Sequence, residues 1–153
     1  MATISKTLYD TDFVEWTAQT AELLRQGRFD EVDLEHVVEE IEDLGISNLK
    51  AAQSQLLRML MHLIKQKIQP ERDGASWRGS IISARQEIRS ELRHSPSLRR
   101  RLSDELEDFY REAIEDALEE TGLADRRADL GIPDRCPFTL AELLESPLDS
   151  LRF

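Results

Sequence analysis

The sequence predicts an all-α fold in the form of an antiparallel four-helix bundle. Apolar residues recur at spacings of three and four along most of the 153-residue chain, which is the period of an α-helix. Six Gly and five Pro are the only strong breaks, and they leave room for four helices with short connections. We therefore expect one helical domain, with a core bundle over about 10–122 and a C-terminal docking tail over about 123–153.

Capping signals predict where three of the helices begin and end. The first helix is expected to begin with Asp10 as its N-cap and to end at Gly27. The third is expected to begin with Ser76 as its N-cap and to end before Pro96, and the fourth then runs to Gly122.

The second helix is the longest one predicted. We expect it to begin after Asp30 or Asp33 and to end before Pro70, continuous or kinked at Gly45, because its apolar stripe keeps phase across that glycine. The stripe that we expect to be buried comprises Leu34, Val37, Val38, Ile41, Leu44, Ala52, Leu56, Met59, Leu60 and Leu63.

The segment from Leu56 to Ile64 is apolar nearly all round, with only Arg58 and His62 polar. A helix of this kind is buried, so we expect the segment to form either the centre of the bundle or part of a subunit interface. The interface candidates are Leu57, Met61 and Ile64.

The tail contains three prolines and one short predicted helix. Thr139 and Glu142 have the spacing of a capping box, which favours a helix that starts there. The following apolar side chains are expected to dock on the bundle; they are Leu143, Leu144, Leu148, Leu151 and Phe153.

Composition excludes several classes of function. The chain has 20 Lys and Arg against 31 Asp and Glu, a net charge of −11, which argues against nucleic-acid binding. We expect neither a signal peptide nor a membrane-spanning segment. The single cysteine, Cys136, cannot form an internal disulfide, so a reducing cytoplasm is the expected location.

Short motifs are spread over almost the whole chain in a specific order. They are Tyr9-Asp10-x-Asp12-Phe13-x-x-Trp16, Ala21-x-Leu23-Leu24-Arg25-x-Gly27-Arg28, Glu39-Glu40-Ile41-Glu42-Asp43-Leu44-Gly45, His62-Leu63 with Lys65, Gln69-Pro70, Ser76-Trp77, Pro96-Ser97-Leu98-Arg99 and Cys136-Pro137. Together they resemble the bacterial domain-of-unknown-function family 29. The resemblance implies a compact bacterial helical domain without an established activity. It also implies that the acidic segment Glu39 to Asp43, His62 and Arg85 are typical family positions.

Carboxylates are the first candidates for chemistry. Acidic side chains at helical spacing can converge on Mg²⁺ or Mn²⁺, and Glu39, Glu42 and Asp43 are the candidate metal ligands. On a helical wheel, however, Glu39 and Asp43 point mostly away from the apolar stripe, which favours a solvated face. No cofactor is therefore expected, with a divalent metal as the alternative.

Histidine, arginine and cysteine side chains supply weaker candidates. His62, in its apolar segment, is either a hydrogen-bonded bundle residue or a general base, and Arg85 is the second catalytic candidate. Arg93 with the arginines 99–101 forms either a charged surface or an anion site, and Cys136 is expected to be buried and unreactive.

Two functions from different classes follow from these patterns. The favoured one is a non-enzymatic helical domain that interacts with a protein partner or forms a homodimer through the Leu56 to Ile64 segment and the tail. The alternative is a metal-dependent hydrolase of a nucleotide-like substrate, which requires the helix-borne carboxylates to converge in a cleft.

Overall fold

A computed structural model describes residues 7–153, and it contains helices and no strand within them. The all-α class is therefore confirmed. Short 3₁₀ turns occur in several connections. The α-helices are α1 (Leu8–Thr11), α2 (Phe13–Arg25), α3 (Leu34–Ile68), α4 (Ala75–His94), α5 (Leu98–Asp104), α6 (Leu106–Thr121) and α7 (Leu140–Glu145).

The chain divides into two compact units, which the sequence did not indicate. The N-terminal unit ends at Ile46, and the C-terminal unit runs from Ser47 to Phe153. Helix α3 contributes its first turns to the one and its remaining turns to the other. The expected docking tail is part of the C-terminal unit.

The N-terminal unit begins with two helices where one was predicted. Asp10 is not the N-cap of the long helix; it is the acidic member of a capping box, and its Oδ2 accepts from the backbone N–H of Thr7 at 3.2 Å. The N-cap of α2 is Asp12, whose Oδ1 accepts from the N–H of Glu15 at 3.1 Å. Helix α2 ends at Arg25, and Gly27, the predicted stop signal, follows it with the left-handed φ of 69° that glycine tolerates best.

Helix α3 is continuous through Gly45 and ends before Gln69 and Pro70. Asp33 caps its first turn by accepting from the N–H of His36 at 3.3 Å. The buried side of its second half is as predicted and comprises Ala52, Leu56, Met59, Leu60, Leu63, Ile64 and Ile68.

The first half of the predicted α3 stripe is not buried, and this is the main correction to the expected core. Four of its side chains are more than half exposed: Leu34 at 56%, Val38 at 51%, Ile41 at 63% and Leu44 at 67%. Periodicity marks one side of a helix as apolar, but burial also requires another element to cover that side. The N-terminal unit, with α1 and α2 as its other helices, leaves these four side chains in solvent.

The C-terminal unit contains one hydrophobic core, built from the second half of α3 and from α4 to α7. Helix α4 starts after Gly74, two residues before the position that a Ser76 cap requires. The predicted fourth helix is interrupted at Glu105, where the backbone has φ −93° and ψ 0°. The Glu105 carboxylate accepts from Gln53 of α3 at 2.7 Å and from Arg101 at 3.1 Å, so contacts between helices hold it there.

The tail docks through both apolar and polar contacts. Thr139 caps α7 by accepting from the N–H of Glu142 at 3.2 Å, as the capping-box spacing predicted. Leu143, Leu144 and Leu151 are fully buried. The hydroxyl of buried Tyr110 donates to the carbonyl of Pro133 at 2.6 Å, which fixes the segment that leads to α7.

The contrast between the two halves of α3 predicts a contrast in stability. Leu60→Ala removes a fully buried side chain, and we expect it to lower the free energy of unfolding by about 2–5 kcal/mol. Ile41→Ala removes an exposed side chain of similar size, and we expect a change of less than about 0.5 kcal/mol. Urea denaturation followed by circular dichroism measures both values, and equal losses would contradict the exposure of Ile41.

Candidate functional site

The side chains predicted as metal ligands do not form a site. Glu39, Glu42 and Asp43 are all exposed on α3. Within residues 7–153, no three His, Cys, Asp or Glu side chains are close enough together to hold a metal ion. The convergence on which the hydrolase hypothesis depends is therefore missing from this part of the chain.

His62 is half-buried in the C-terminal unit and is held by its own helix. Its Nδ1 lies 2.9 Å from the carbonyl oxygen of Arg58, an acceptor, so Nδ1 donates. Burial lowers the pKa of His62, and the positive charges of Lys65 and Arg58 lower it further. The adjacent Lys65 donates to Glu120 at 2.7 Å and lies 5.0 Å from the ring centroid of Trp77. Burial and the two positive charges favour a neutral histidine, and they outweigh the hydrogen bond to the Arg58 carbonyl, which acts in the opposite direction. Arg58, His62 and Lys65 form a polar stripe along α3.

Arg85 has a structural position in the core of the C-terminal unit. Only 8% of its surface is exposed, and its guanidinium donates to the carbonyls of Leu143, at 3.0 Å, and of Ser146. These carbonyls lie at the C-terminal end of α7, where a positive charge is stabilising. Arg85 thus ties α7 to α4.

Cys136 is also held by structural contacts. Its thiol donates to the carbonyl of Phe138 at 3.3 Å, and its backbone N–H donates to both carboxylate oxygens of Glu107 at 3.2 Å. Burial raises the pKa of the Cys136 thiol to about 11. A thiol of this kind is protonated at neutral pH, so it is a poor nucleophile.

Two of the interface candidates are partly accessible, and the third is not. Leu57 and Met61 are half-buried and pack against the core of the C-terminal unit. Ile64 is 1% exposed and belongs to that core. A surface that includes Ile64 would require the core to open, whereas a contact at Leu57 and Met61 stays a prediction.

A cluster of aromatic rings holds the N-terminal unit together, and the sequence pattern did not predict it. Tyr9 stacks on His36 with 3.8 Å between the ring centroids and 18° between the ring planes. Trp16 contacts the edge of Tyr9 at 4.9 Å, and Phe13 stacks beside Trp16 at 5.7 Å. Such pairs stabilise beyond the area that they bury. The order Tyr9, Phe13, Trp16 with Asp33-x-x-His36 was the available signal, but its meaning requires α1 and α3 to be adjacent.

Two hydrogen bonds between charged or titratable groups support this aromatic cluster. His36 Nδ1 donates to Asp33 Oδ2 at 2.5 Å, and this bond to a carboxylate raises the pKa of His36. The Tyr9 hydroxyl donates to Glu40 Oε1 at 2.6 Å, which raises the pKa of Tyr9 to about 12. His36 therefore serves as a hydrogen-bond partner of Asp33 within the N-terminal unit.

The same unit also exposes hydrophobic side chains to solvent. Every large hydrophobic side chain that is exposed within residues 7–153 lies between Phe13 and Ile46. We call the four on one side of α3, Leu34, Val38, Ile41 and Leu44, the apolar face. Residues 7–46 also carry 12 Asp and Glu against two Arg, a net charge of −10, whereas residues 47–153 carry a net charge of only −2.

Comparison with known proteins bears on this arrangement. The domain of unknown function DUF29 matches residues 8–148 of the chain, which is nearly all of it. The chain belongs to the DUF29 family. Comparison with curated proteins found no match.

A solved structure resembles this DUF29 domain over almost its full length. It is the crystal structure of an alpha-helical protein of unknown function from Rhodospirillum rubrum, with 26% sequence identity and a TM-score of 0.65. The alignment covers 96% of each chain. The solved structure is an alpha-helical protein, and both comparisons lead to proteins of unknown function. Separately, every helix in residues 7–153 of the DUF29 domain is too short or too polar to span a membrane.

The two types of histidine contact in this DUF29 domain predict opposite titration behaviour. We expect the pKa of His36 to lie above 6.5 because Asp33 stabilises its charged form, and the pKa of His62 to lie below 6.5 because burial penalises its charged form. Asp33→Asn keeps a side chain that caps α3, and it should lower the pKa of His36 alone. Histidine proton resonances followed by NMR over pH 5–9 measure both values.

The same shifts fix the sign of two contributions to folding stability. The stabilisation from His36 is fully present below its unfolded pKa and is lost as the pH rises through its folded pKa. That from His62 has the opposite sign: the unfolded state binds its proton first, so stability falls as the pH drops below about 6.5. A His62 pKa above that of His36 would contradict at least one of the two assignments.

The geometry of Arg85 predicts a structural rather than a catalytic phenotype. We expect Arg85→Met to lower the free energy of unfolding by about 2–4 kcal/mol, because the buried carbonyl of Leu143 and the partly buried carbonyl of Ser146 lose a charged donor. Arg78→Met, on the same helix, removes an exposed ion pair with Asp149 at 2.8 Å and should cost less than about 1 kcal/mol. Thermal or urea unfolding gives both values, and equal losses would argue against the tie between Arg85 and α7.

Proposed function

We propose that this DUF29 domain is a non-enzymatic interaction module that binds an amphipathic, basic helix of another protein on the apolar face of its N-terminal unit. The observation that carries the proposal is the location of the exposed hydrophobic side chains, all within Phe13 to Ile46 in the described chain. Scattered single hydrophobic side chains are normal on protein surfaces, but a contiguous patch with a polar rim is typical of an interaction site.

The spacing within the apolar face favours a helix as the partner. Leu34, Val38, Ile41 and Leu44 follow each other at intervals of four, three and three residues, so they form a narrow ridge along α3. A second helix with apolar residues at the same spacing can pack along such a ridge.

The charges beside the ridge favour a basic partner. Val38 has Glu35 three residues before it and Glu42 four residues after it, and all three side chains are exposed on α3. The whole unit carries a net charge of −10 over residues 7–46. Lys and Arg at the margins of an incoming helix would meet these carboxylates, and the attraction would also speed the encounter.

The same charges disfavour a second copy of this chain as the occupant. In either orientation, two paired α3 helices bring together margins that contain no Lys or Arg between Leu34 and Ile46. When a two-fold axis pairs them antiparallel, the same margin of each helix meets its own copy. Glu35 and Glu42 of one chain would then lie beside Glu42 and Glu35 of the other. Like charges in direct opposition are destabilising, and neither chain offers a basic residue at that margin.

A pair of synthetic helices tests this function. One probe is an 18-residue peptide with leucines at helical spacing and lysines at the margins, and its matched control has glutamates in place of the lysines. We expect the lysine peptide to bind, with an affinity that falls as the salt concentration rises. Fluorescence anisotropy of the labelled peptides measures both affinities.

Two variants separate apolar docking from general attraction to an acidic protein. Val38→Ser with Ile41→Ser keeps every charge but removes apolar area, and it should weaken binding at least about tenfold. Val14→Ser, at an exposed position of α2, is the matched control and should change the affinity less than about twofold. Equal affinity of both variants, or of both peptides, would overturn the proposal. A dimer in sedimentation analysis that dissociates only in the double variant would assign the face to a second copy instead.

A further inference from the structure

A surface cavity between the end of α4 and the start of α5 is lined by arginines without any acidic residue. Its volume is about 380 Å³, and its lining comprises Arg89, Leu92, Arg93, Pro96 and Arg99. Three guanidinium groups at one cavity are unusual in a chain whose net charge is −11, where carboxylates are abundant.

Arg89 and Arg93 have no carboxylate partner within residues 7–153, since they take part in none of the salt bridges there. They lie four residues apart on α4, where two like charges repel each other. The neighbouring cavity has a different composition, because each of its arginines has an acid four residues further on. These pairs are Arg100 with Asp104 at 3.8 Å and Arg101 with Glu105 at 3.1 Å.

Within residues 7–153, the polar groups near the end of α4 also form no hydrogen bond with the guanidinium groups of Arg89 and Arg93. The last turn of α4 needs no donor from Arg93, because the carbonyls of Ser90 and Glu91 accept from the His94 ring and the Ser95 N–H at 2.9 and 2.8 Å. Arg99 has only a long, exposed contact with Glu145, at 3.6 Å.

We propose that this cavity binds the phosphoryl groups of a small polyanion such as a diphosphate. Phosphate oxygens match the planar fork of a guanidinium, which can donate two parallel hydrogen bonds to one phosphoryl group. An anion between Arg89, Arg93 and Arg99 also relieves their mutual repulsion. The volume of the cavity is at the small end of the range for ligand sites, which suits a diphosphate group rather than a large ligand. The acidic balance of the whole chain disfavours nucleic acid as the source of the phosphate.

Isothermal titration calorimetry with inorganic pyrophosphate, on the full chain at constant ionic strength and without metal ions, tests this site. We expect one pyrophosphate per chain, with an affinity that Arg89→Gln and Arg93→Gln each weaken at least about tenfold. Arg93→Lys keeps the charge but loses the fork, and it should fall between the wild type and Arg93→Gln. Arg100→Gln with Arg101→Gln is the matched control and should change the affinity less than about twofold.

Further titrations distinguish a small phosphorylated molecule from other anions, and the arginine-lined cavity from the apolar face. Citrate that binds as tightly as pyrophosphate, or an oligonucleotide that displaces it, would overturn the assignment to a small phosphorylated molecule. No saturable binding, or the same loss in the Arg100 and Arg101 control, would overturn the site itself. Circular dichroism confirms that each variant is folded, and Val38→Ser with Ile41→Ser should leave pyrophosphate binding unchanged because this site is independent of the apolar face.

Discussion

The burial of the second half of α3 is the constraint on which the C-terminal unit depends. From Ala52 to Ile68, one side of this helix is closed to solvent, and the helices from α4 to α7 pack around it. Apolar area removed from water stabilises by about 25 cal/mol per Å², and fully buried leucine and isoleucine side chains supply most of that area here. The polar stripe with His62 and Lys65 lies at the margin of this helix, where it reaches Glu120 without entering the core.

The tail is part of this core because its polar groups are satisfied as well as its apolar ones. Arg85 donates to the end of α7, Tyr110 donates to Pro133, and Glu107 accepts from the backbone of Cys136. Within residues 7–153 no buried side-chain nitrogen or oxygen lacks a hydrogen-bond partner. An arginine in the core and a lone cysteine suggest catalysis when considered alone. The partners of Arg85 and Cys136 are backbone groups and the Glu107 carboxylate, so both residues stabilise the docked tail.

The N-terminal unit also has to bury apolar side chains and satisfy polar groups, but it has only α1, α2 and the first turns of α3 for this purpose. An aromatic cluster around Tyr9 and Trp16, with His36 held by Asp33, is what its short helices can build. Such a small unit buries only part of its apolar surface, and the ridge from Leu34 to Leu44 stays in solvent. On a surface without a partner, exposed apolar side chains are unfavourably hydrated, and closely spaced carboxylates repel each other. Both features become favourable when a basic, apolar helix covers them, which is the physical basis of the proposed function.

The sequence by itself determined the local features of this DUF29 domain. The all-α class, the stop signals at Gly27 and Gly122 and the cap at Thr139 follow from residues close together in the chain, because caps and glycine conformations act over a few residues. The family follows from the order of short motifs along the chain. Tertiary structure decided which half of the α3 stripe is covered, where Glu105 interrupts the fourth helix, and that Arg85 meets α7. Periodicity along one helix records which side is apolar, but it contains no information about what packs there. The sequence did not reveal the candidate site for the same reason. The aromatic cluster and the exposed apolar face both depend on how α1, α2 and α3 pack together.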